Sequence, residues 1–162
     1  MKIAIYPGSF DPITLGHLDI IRRAASCFDR VLVCVMVNCD KKTPMFSSEE
    51  RLEMICGAVK ELPNVEAELW NGLLADYART VGAHILVKGV RNATDFDLEY
   101  QMAAINRGIC ESLDTVFLPS SPAYQHLSST MAREMIRYGQ PLESYVPGSV
   151  IDILARRNDT KK

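Results

Sequence analysis

The sequence predicts an α/β fold: a doubly wound, five-stranded parallel sheet with helices on both faces. Short apolar runs alternate with amphipathic segments five times along the chain, which is the pattern of a parallel sheet covered by helices. The run VLVCVMV at 31–37 is apolar throughout, as expected for a strand buried on both faces. Strand twist then favours right-handed crossovers between successive strands.

The individual elements follow from the spacing of apolar residues. Strands are predicted at five runs: KIAIY (2–6), VLVCVMV (31–37), VEAELW (65–70), HILVK (84–88) and DTVFL (114–118). Helices are predicted where apolar residues recur every three or four positions: 18–28, 52–62, 73–82, 95–107, 128–139 and 147–157. Ser47 and Glu50 form a capping box before the second helix. Residues 1–157 are expected to form a single domain, followed by a flexible tail at 158–162.

Composition and charge disfavour several classes of protein. Of the 162 residues, 48% are hydrophobic and 23% are charged, which is typical of a globular chain. The 18 basic and 20 acidic side chains leave a net charge of −2, so we expect anions to bind in a local pocket and not on a nucleic-acid-binding surface. No segment approaches the roughly 20 apolar residues of a membrane span. Pro7 interrupts the N-terminus too early for a signal peptide. The five cysteines form an odd set without CxxC spacing, which predicts reduced thiols and a cytoplasmic protein.

The stretch YPGSFDPITLGH (6–17) directly follows the first predicted strand, where an open α/β sheet binds its ligands. Gly8 allows the backbone to approach a ligand closely, and Ser9 adds a hydroxyl. Thr14 is a natural N-cap, which places His17 in the first turn of the next helix. Free N–H groups at that helix start favour an anion, and the imidazole can donate to it.

Three further loops at carboxyl ends of predicted strands carry phosphate-binding groups. NCDKKT follows the second strand with Lys41 and Lys42, and KGVR ends the fourth with Lys88 and Arg91. PSSPAYQHLSST follows the fifth and ends in three hydroxyls at a helix start. Each signal has an ordinary alternative: a Lys-Lys pair is usually solvated, and hydroxyls at a helix start are usually caps. His84 fits a structural role, and for His126 the two interpretations are even. Because all four loops meet at one edge, an anion-binding crevice is favoured.

These motifs resemble those of a known family. YPGSFDPITLGH resembles the TxGH form of the nucleotidyltransferase signature shared by small adenylyl- and cytidylyltransferases. KGVR, DFDLEYQMAAINR and LSSTMARE further resemble the phosphopantetheine adenylyltransferases of bacterial coenzyme A synthesis. The matching segments occur in the family's order from the first strand to the last helix.

The resemblance implies the Rossmann-like nucleotidyltransferase fold and adenylyl transfer from ATP to 4′-phosphopantetheine, giving dephospho-CoA and pyrophosphate, with Mg²⁺. It implies His17 as a transition-state stabiliser. The implied phosphopantetheine contacts are Ser9, Lys41, Leu74 and Lys88. The implied ATP contacts are Ser9, Phe10, His17, Gly89, Val90, Arg91, Glu99, Tyr124, Gln125, His126, Leu127, Ser128, Ser129 and Thr130. The resemblance also implies a homohexamer and feedback binding of coenzyme A.

Two positions depart from the family's usual pattern. Position 88 is lysine where many members have arginine, so a point charge replaces a bidentate grip on phosphate. LSST stands where ISSS is common, which retains a hydroxyl at each of the last three positions. No carboxylate cluster occurs in these loops, so Mg²⁺ is expected to bind mainly through ATP phosphates and water, without a protein metal site.

Two alternatives remain at this point. The chain could be a related transferase with another acceptor, such as nicotinamide mononucleotide or a phosphorylated alcohol. It could also be a non-catalytic nucleotide-binding regulator, although it retains His17, Lys41 and Arg91 together. Pyrophosphate release that depends on phosphopantetheine separates all three possibilities.

Overall fold

A computed structural model describes residues 1–37 and 43–159. It confirms the predicted doubly wound sheet of five parallel strands. The strands are β1 (Ile3–Gly8), β2 (Arg30–Met36), β3 (Val65–Trp70), β4 (Ile85–Val90) and β5 (Asp114–Pro119). The helices are α1 (Leu15–Cys27), α2 (Ser48–Val59), α3 (Leu74–Val81), α4 (Ala93–Ile109), α5 (Ser129–Arg137) and α6 (Gly148–Asp159). Across the sheet the strand order is β3-β2-β1-β4-β5.

Two hydrophobic clusters cover the two faces of the sheet. Val31, Val33 and Val35 of β2 join one cluster with residues of α1, α2 and α6, while Leu32 and Cys34 join the other with residues of α3. Side chains alternate along a strand, so a continuous apolar run supplies both clusters. This arrangement is the physical reason for the seven-residue run at 31–37.

Local sequence signals explain where the helices begin and end. Thr14 caps α1, and Ser47 caps α2 through the predicted capping box with Glu50. Gly82 ends α3 with a φ of 67°, a left-handed conformation that glycine adopts without strain. Helix α6 continues to Asp159, so the first part of the segment predicted as a tail is helical. The remainder, 160–162, lies outside the described residues.

The sheet opens between β1 and β4. These strands pair only through Ala4–Ile85 and Ile5–Leu86, whereas β1 pairs with β2 along its whole length. Beyond Ile5 the side of β1 that faces β4 is unpaired, so Pro7 fits a central strand although it has no N–H to donate. Strand order reverses at this point, and ligands of open α/β sheets bind in such a crevice.

Across 1–37 and 43–159, we find no helix that is both long and apolar enough to cross a membrane. The thiols of Cys27, Cys34, Cys56 and Cys110 are unpaired. Cys39 lies outside the residues that the structure describes.

Candidate active site

A cavity of about 470 Å³ occupies the opening between β1 and β4. This volume falls in the range of small-molecule sites. Its walls come from the ends of β1 and β4, the first turn of α1, the inner face of α4 and the start of α5. Three cationic side chains line it: Lys88, Arg91 and Arg133. Such a lining is suited to a polyanionic ligand.

His17 is oriented by the start of its own helix. Its backbone N–H donates to Thr14 Oγ1 at 3.3 Å, and the backbone N–H of Thr14 donates to His17 Nδ1 at 3.0 Å. Because a backbone N–H can only donate, Nδ1 must be the acceptor, and the neutral imidazole carries its proton on Nε2. The capping geometry therefore selects one tautomer, whose N–H donor belongs to a residue that lines the cavity.

The electrostatic environment keeps this imidazole neutral. Burial of the ring, followed by the nearby Arg91 charge, lowers the pKa of His17 to about 4. The ring packs edge-on against Phe10, with centroids 5.2 Å apart. At neutral pH, His17 is therefore a hydrogen-bond donor through Nε2 and not an imidazolium.

Two carboxylates on α4 hold two cations of the cavity. Asp95 accepts from Arg91 through Nε at 2.8 Å, Nη2 at 3.2 Å and the backbone N–H at 3.2 Å, and Arg91 holds the pKa of Asp95 below its usual range. Glu99, one turn later, lies 2.9 Å from the Lys88 ammonium through Oε2, an ion pair whose geometry does not complete a hydrogen bond. Both cations are thus oriented by pairing within the chain.

The segment after β5 is tied to the same site. Arg91 Nη1 donates to the Leu127 carbonyl at 3.1 Å, and Gln125 donates to the Arg91 carbonyl at 2.7 Å. Ser128 caps α5, and Ser129 donates to the Pro12 carbonyl at 2.8 Å. The hydroxyls predicted to bind phosphate therefore also have structural partners, as the capping interpretation allowed.

Comparisons with known proteins agree with this geometry. Residues 5–135 match the family model described as cytidylyltransferase-like. A phosphopantetheine adenylyltransferase of Caldanaerobacter subterraneus subsp. tengcongensis is 45% identical over 97% of this chain and 95% of its own. The enzyme of that name from Symbiobacterium thermophilum is 51% identical over 89% of this chain and 88% of its own. The chain belongs to the phosphopantetheine adenylyltransferase family.

Solved structures support the fold of this family member. A crystal structure of a Vibrio parahaemolyticus protein, assigned as a nicotinate-nucleotide adenylyltransferase, superposes with a TM-score of 0.69. It covers 96% of this chain and 93% of its own, at 22% identity. At that identity the likeness shows the shared nucleotidyltransferase fold alone.

The cavity brings together most of the residues that the family resemblance implied. Those that line it are Ser9, Phe10, His17, Lys88, Gly89, Arg91, Glu99, Tyr124, Leu127, Ser128, Ser129 and Thr130. Four implied residues are described by the structure but do not line it: Leu74 at the start of α3, Val90 at the end of β4, and the exposed Gln125 and His126. Lys41 lies outside the described residues, so its placement stays a prediction.

Sequence reasoning missed several polar residues of the phosphopantetheine adenylyltransferase site. Tyr6 lines the cavity, and burial, followed by the Glu99 charge, raises the pKa of its hydroxyl. Asp95 and Arg133 line it as well. The i, i+4 spacing of Arg91 and Asp95 was a readable signal, but isolated helix charges usually face solvent. Arg133 could have been noticed one turn after the hydroxyl cluster.

Proposed function

We propose that the chain transfers the adenylyl group of ATP to 4′-phosphopantetheine, giving dephospho-CoA and pyrophosphate in coenzyme A synthesis. The neutral His17, with its donor nitrogen in a cavity lined by cations, is the observation that carries the proposal. The name of the relatives, phosphopantetheine adenylyltransferase, supports this acceptor, and the cytidylyltransferase-like match supports nucleotidyl transfer as the reaction type.

The proposed reaction is one in-line displacement at the α-phosphorus of ATP. An oxygen of the acceptor phosphate forms a bond to that phosphorus, the bond to the bridging oxygen of the β-phosphate breaks, and pyrophosphate leaves with the bonding electrons. His17 donates through Nε2 to a non-bridging α-phosphate oxygen, where charge redistributes in the transition state. No protein nucleophile is needed, since positioning and charge stabilisation supply most of the catalysis in such transfers.

In this proposal, different cationic residues bind the two substrates. Lys88 and Lys41 hold the acceptor phosphate, with Ser9 between the substrates and Leu74 against the pantetheine arm. Arg91 and the hydroxyls Ser128, Ser129 and Thr130 hold the β- and γ-phosphates. Phe10, Gly89, Val90, Glu99 and the 124–127 segment complete the nucleotide site.

Magnesium is proposed to enter with ATP. Within 1–37 and 43–159 we find no group of three or more His, Cys, Asp or Glu that could hold a metal ion. The two carboxylates that line the cavity, Asp95 and Glu99, are paired with cations. This donor set fits a cation bound mainly by phosphates and water. When bound, Mg²⁺ neutralises phosphate charge.

The family resemblance supports two further proposals: the chain forms a homohexamer, and it binds coenzyme A as a feedback ligand. The cysteine pattern supports a third, that the chain works in the cytoplasm. The four thiols that the structure describes are unpaired, as a reducing compartment would leave them.

An acceptor screen tests the proposed function. Purified protein with ATP and Mg²⁺ should release pyrophosphate only when 4′-phosphopantetheine is present, and dephospho-CoA should accumulate in equal amount. Nicotinamide mononucleotide, nicotinate mononucleotide and glycerol 3-phosphate are the competing acceptors. Turnover of one of these in place of phosphopantetheine would reassign the substrate, and no turnover with any acceptor would support a binding role.

A further inference from the structure

The peptide bond between Ser9 and Phe10 has a fixed orientation at the edge of the cavity. Arg51 of α2 donates from Nη1 to the Ser9 carbonyl at 2.7 Å. In a trans peptide the C=O and the N–H point in opposite directions. The Phe10 N–H therefore points away from Arg51.

This orientation turns the Phe10 N–H toward the cavity. Ser9 and Phe10 line the cavity, and Arg51 does not. In the described part of the chain, the Phe10 N–H has no hydrogen-bond acceptor. An unsatisfied backbone donor beside an anion-binding cavity is suited to a phosphate oxygen.

The orientation of the Phe10 N–H goes with an uncommon backbone conformation of Phe10. Its φ is 47°, in the left-handed region that bulky residues rarely enter. Phe10 is 2% exposed, and its ring packs edge-on against Tyr6, with centroids 5.5 Å apart. A Cβ on Gly8 would come within 3.0 Å of the Phe10 ring, so Gly8 leaves room for it. Ring packing and the Arg51 bond together hold the turn.

Arg51 is unusual because, among the residues that the structure describes, it is buried without an ion-pair partner. It is 6% exposed, and across 1–37 and 43–159 no carboxylate lies within ion-pair distance of it. Its acceptors are the Ser9 carbonyl and, at 3.4 Å, the Ser47 carbonyl. Burying a guanidinium without a carboxylate is costly. Its charge polarises the Ser9–Phe10 peptide, which makes the N–H on the other side a stronger donor.

We propose that Arg51 is a positioning residue that acts through the Ser9–Phe10 peptide and prepares the Phe10 N–H as a phosphate-binding donor. The identity of that phosphate as part of ATP rests on the proposed function. The orientation of the donor does not, because it follows from contacts within the chain.

A single-resonance NMR experiment tests this proposal. Ser9 is the only serine that precedes a phenylalanine in the sequence. Protein labelled with carbonyl-¹³C serine and ¹⁵N phenylalanine therefore gives one HNCO cross-peak, from the Phe10 amide. Titration with inorganic pyrophosphate should move this amide proton downfield in the wild-type protein. In Arg51→Met the free amide should start upfield of wild type, and pyrophosphate should bind about tenfold or more weakly.

Two further variants exclude a general loss of structure. Leu113→Ala removes a side chain that is 1% exposed, in the cluster on the opposite sheet face, and should lose stability while keeping the wild-type Phe10 resonance. Arg51→Lys keeps the charge but has no planar fork, and it should give an intermediate shift even if Arg51→Met does not fold.

The outcomes separate this inference from the proposed function. A Phe10 amide that stays in place in the Arg51 variants, or that does not respond to pyrophosphate in wild type, overturns the role of Arg51. Wild-type protein that makes no dephospho-CoA overturns the proposed function, while a pyrophosphate-dependent Phe10 shift that Arg51→Met weakens would still support the positioning role.

Discussion

His17 serves two purposes at the scale of a single residue. As the third residue of α1 it completes a capping box with Thr14, and its Nδ1 accepts the Thr14 N–H. The same bond leaves the proton on Nε2, the atom proposed to act on the α-phosphate. The cap of α1 thus also fixes the tautomer of His17. A test of the donor role therefore needs a substitution that removes the Nε2 donor and keeps the cap.

Two substitutions of His17 separate capping from donation. Asparagine places an oxygen near the position of Nδ1 but has no group near Nε2. His17→Asn should therefore keep the cap while lowering kcat by about 10²–10³, as expected for a lost oxyanion donor. His17→Gln, whose amide reaches farther, should keep more of the turnover. Steady-state kinetics at saturating ATP, with a thermal melt of each variant, provide the measurement. Turnover within a few-fold of wild type in His17→Asn would contradict the donor role.

The lowered pKa of His17 also predicts how stability depends on pH. The folded-state pKa is about 4 and the ordinary value is 6.5, so between these values the unfolded chain binds a proton that the native protein does not. The contribution of His17 to stability should be present above pH 6.5 and decline as the pH falls toward 4. Thermal melts from pH 7 to pH 4.5 should show a steeper loss of Tm in wild type than in His17→Asn. Curves of Tm against pH that run parallel for wild type and His17→Asn would contradict the lowered pKa of His17.

At the scale of elements, α4 works as a support for the end of β4. Asp95 and Glu99 lie one turn apart on its inner face and pair with Arg91 and Lys88. Asn92 caps the helix, which sets the register of both carboxylates. We therefore expect the orientation of the two cations to depend on α4 and not only on β4.

Asp95→Asn should affect turnover more than binding. Without the carboxylate, the Arg91 guanidinium loses the ion pair that orients it. Its proposed contact with the ATP phosphates is then misplaced, which slows the transfer. The loss of negative charge favours ATP, which offsets the lost positioning in the ground state. We expect kcat to fall about tenfold and the KM for ATP to change by less than about threefold. Asp97→Asn, the same change at an exposed position on α4, is the matched control and should change neither. Equal effects of the two variants would contradict the support role.

At the scale of the whole molecule, α4 carries much of the exposed apolar surface of the described residues. All six large apolar side chains of α4 are 40–61% exposed: Phe96, Leu98, Tyr100, Met102, Ile105 and Ile109. Exposed apolar side chains concentrated on one helix commonly mark a protein–protein contact. This concentration supports the proposed homohexamer, in which a neighbouring subunit would cover part of α4.

The proposed assembly makes a direct prediction. Light scattering should report six times the chain mass of 18.1 kDa at micromolar concentration. Met102→Lys with Ile105→Lys, two positions outside the cavity lining, should lower the mass because buried charges disfavour the contact. Tyr138→Lys, at a site 76% exposed after α5, is the control and should leave the mass unchanged. A wild-type monomer would contradict the hexamer, and an unchanged mass in the double variant would exclude the side of α4 with Met102 and Ile105 as the contact.

Local sequence patterns determined the secondary structure of this protein and the position of its ligand-binding loops. Apolar runs and helical spacing predict the five strands and the helices, since each signal depends on neighbours a few residues away. The capping boxes at Thr14 and Ser47 and the loops at strand ends are also local. Because carboxyl ends of parallel strands share one edge, the sequence also predicted that the loops would converge near Ser9, His17, Lys88 and Arg91.

Tertiary structure alone decided which groups face the ligand. The opening between β1 and β4 depends on strand pairing, which no local pattern encodes. The bond from Arg51 to the Ser9 carbonyl joins residues 42 positions apart, and the choice of acceptor depends on how α2 packs against the sheet. The neutrality of His17 depends on burial and on the charge of Arg91, a residue on another strand's loop. These are distances and environments, and they exist only once the chain is folded.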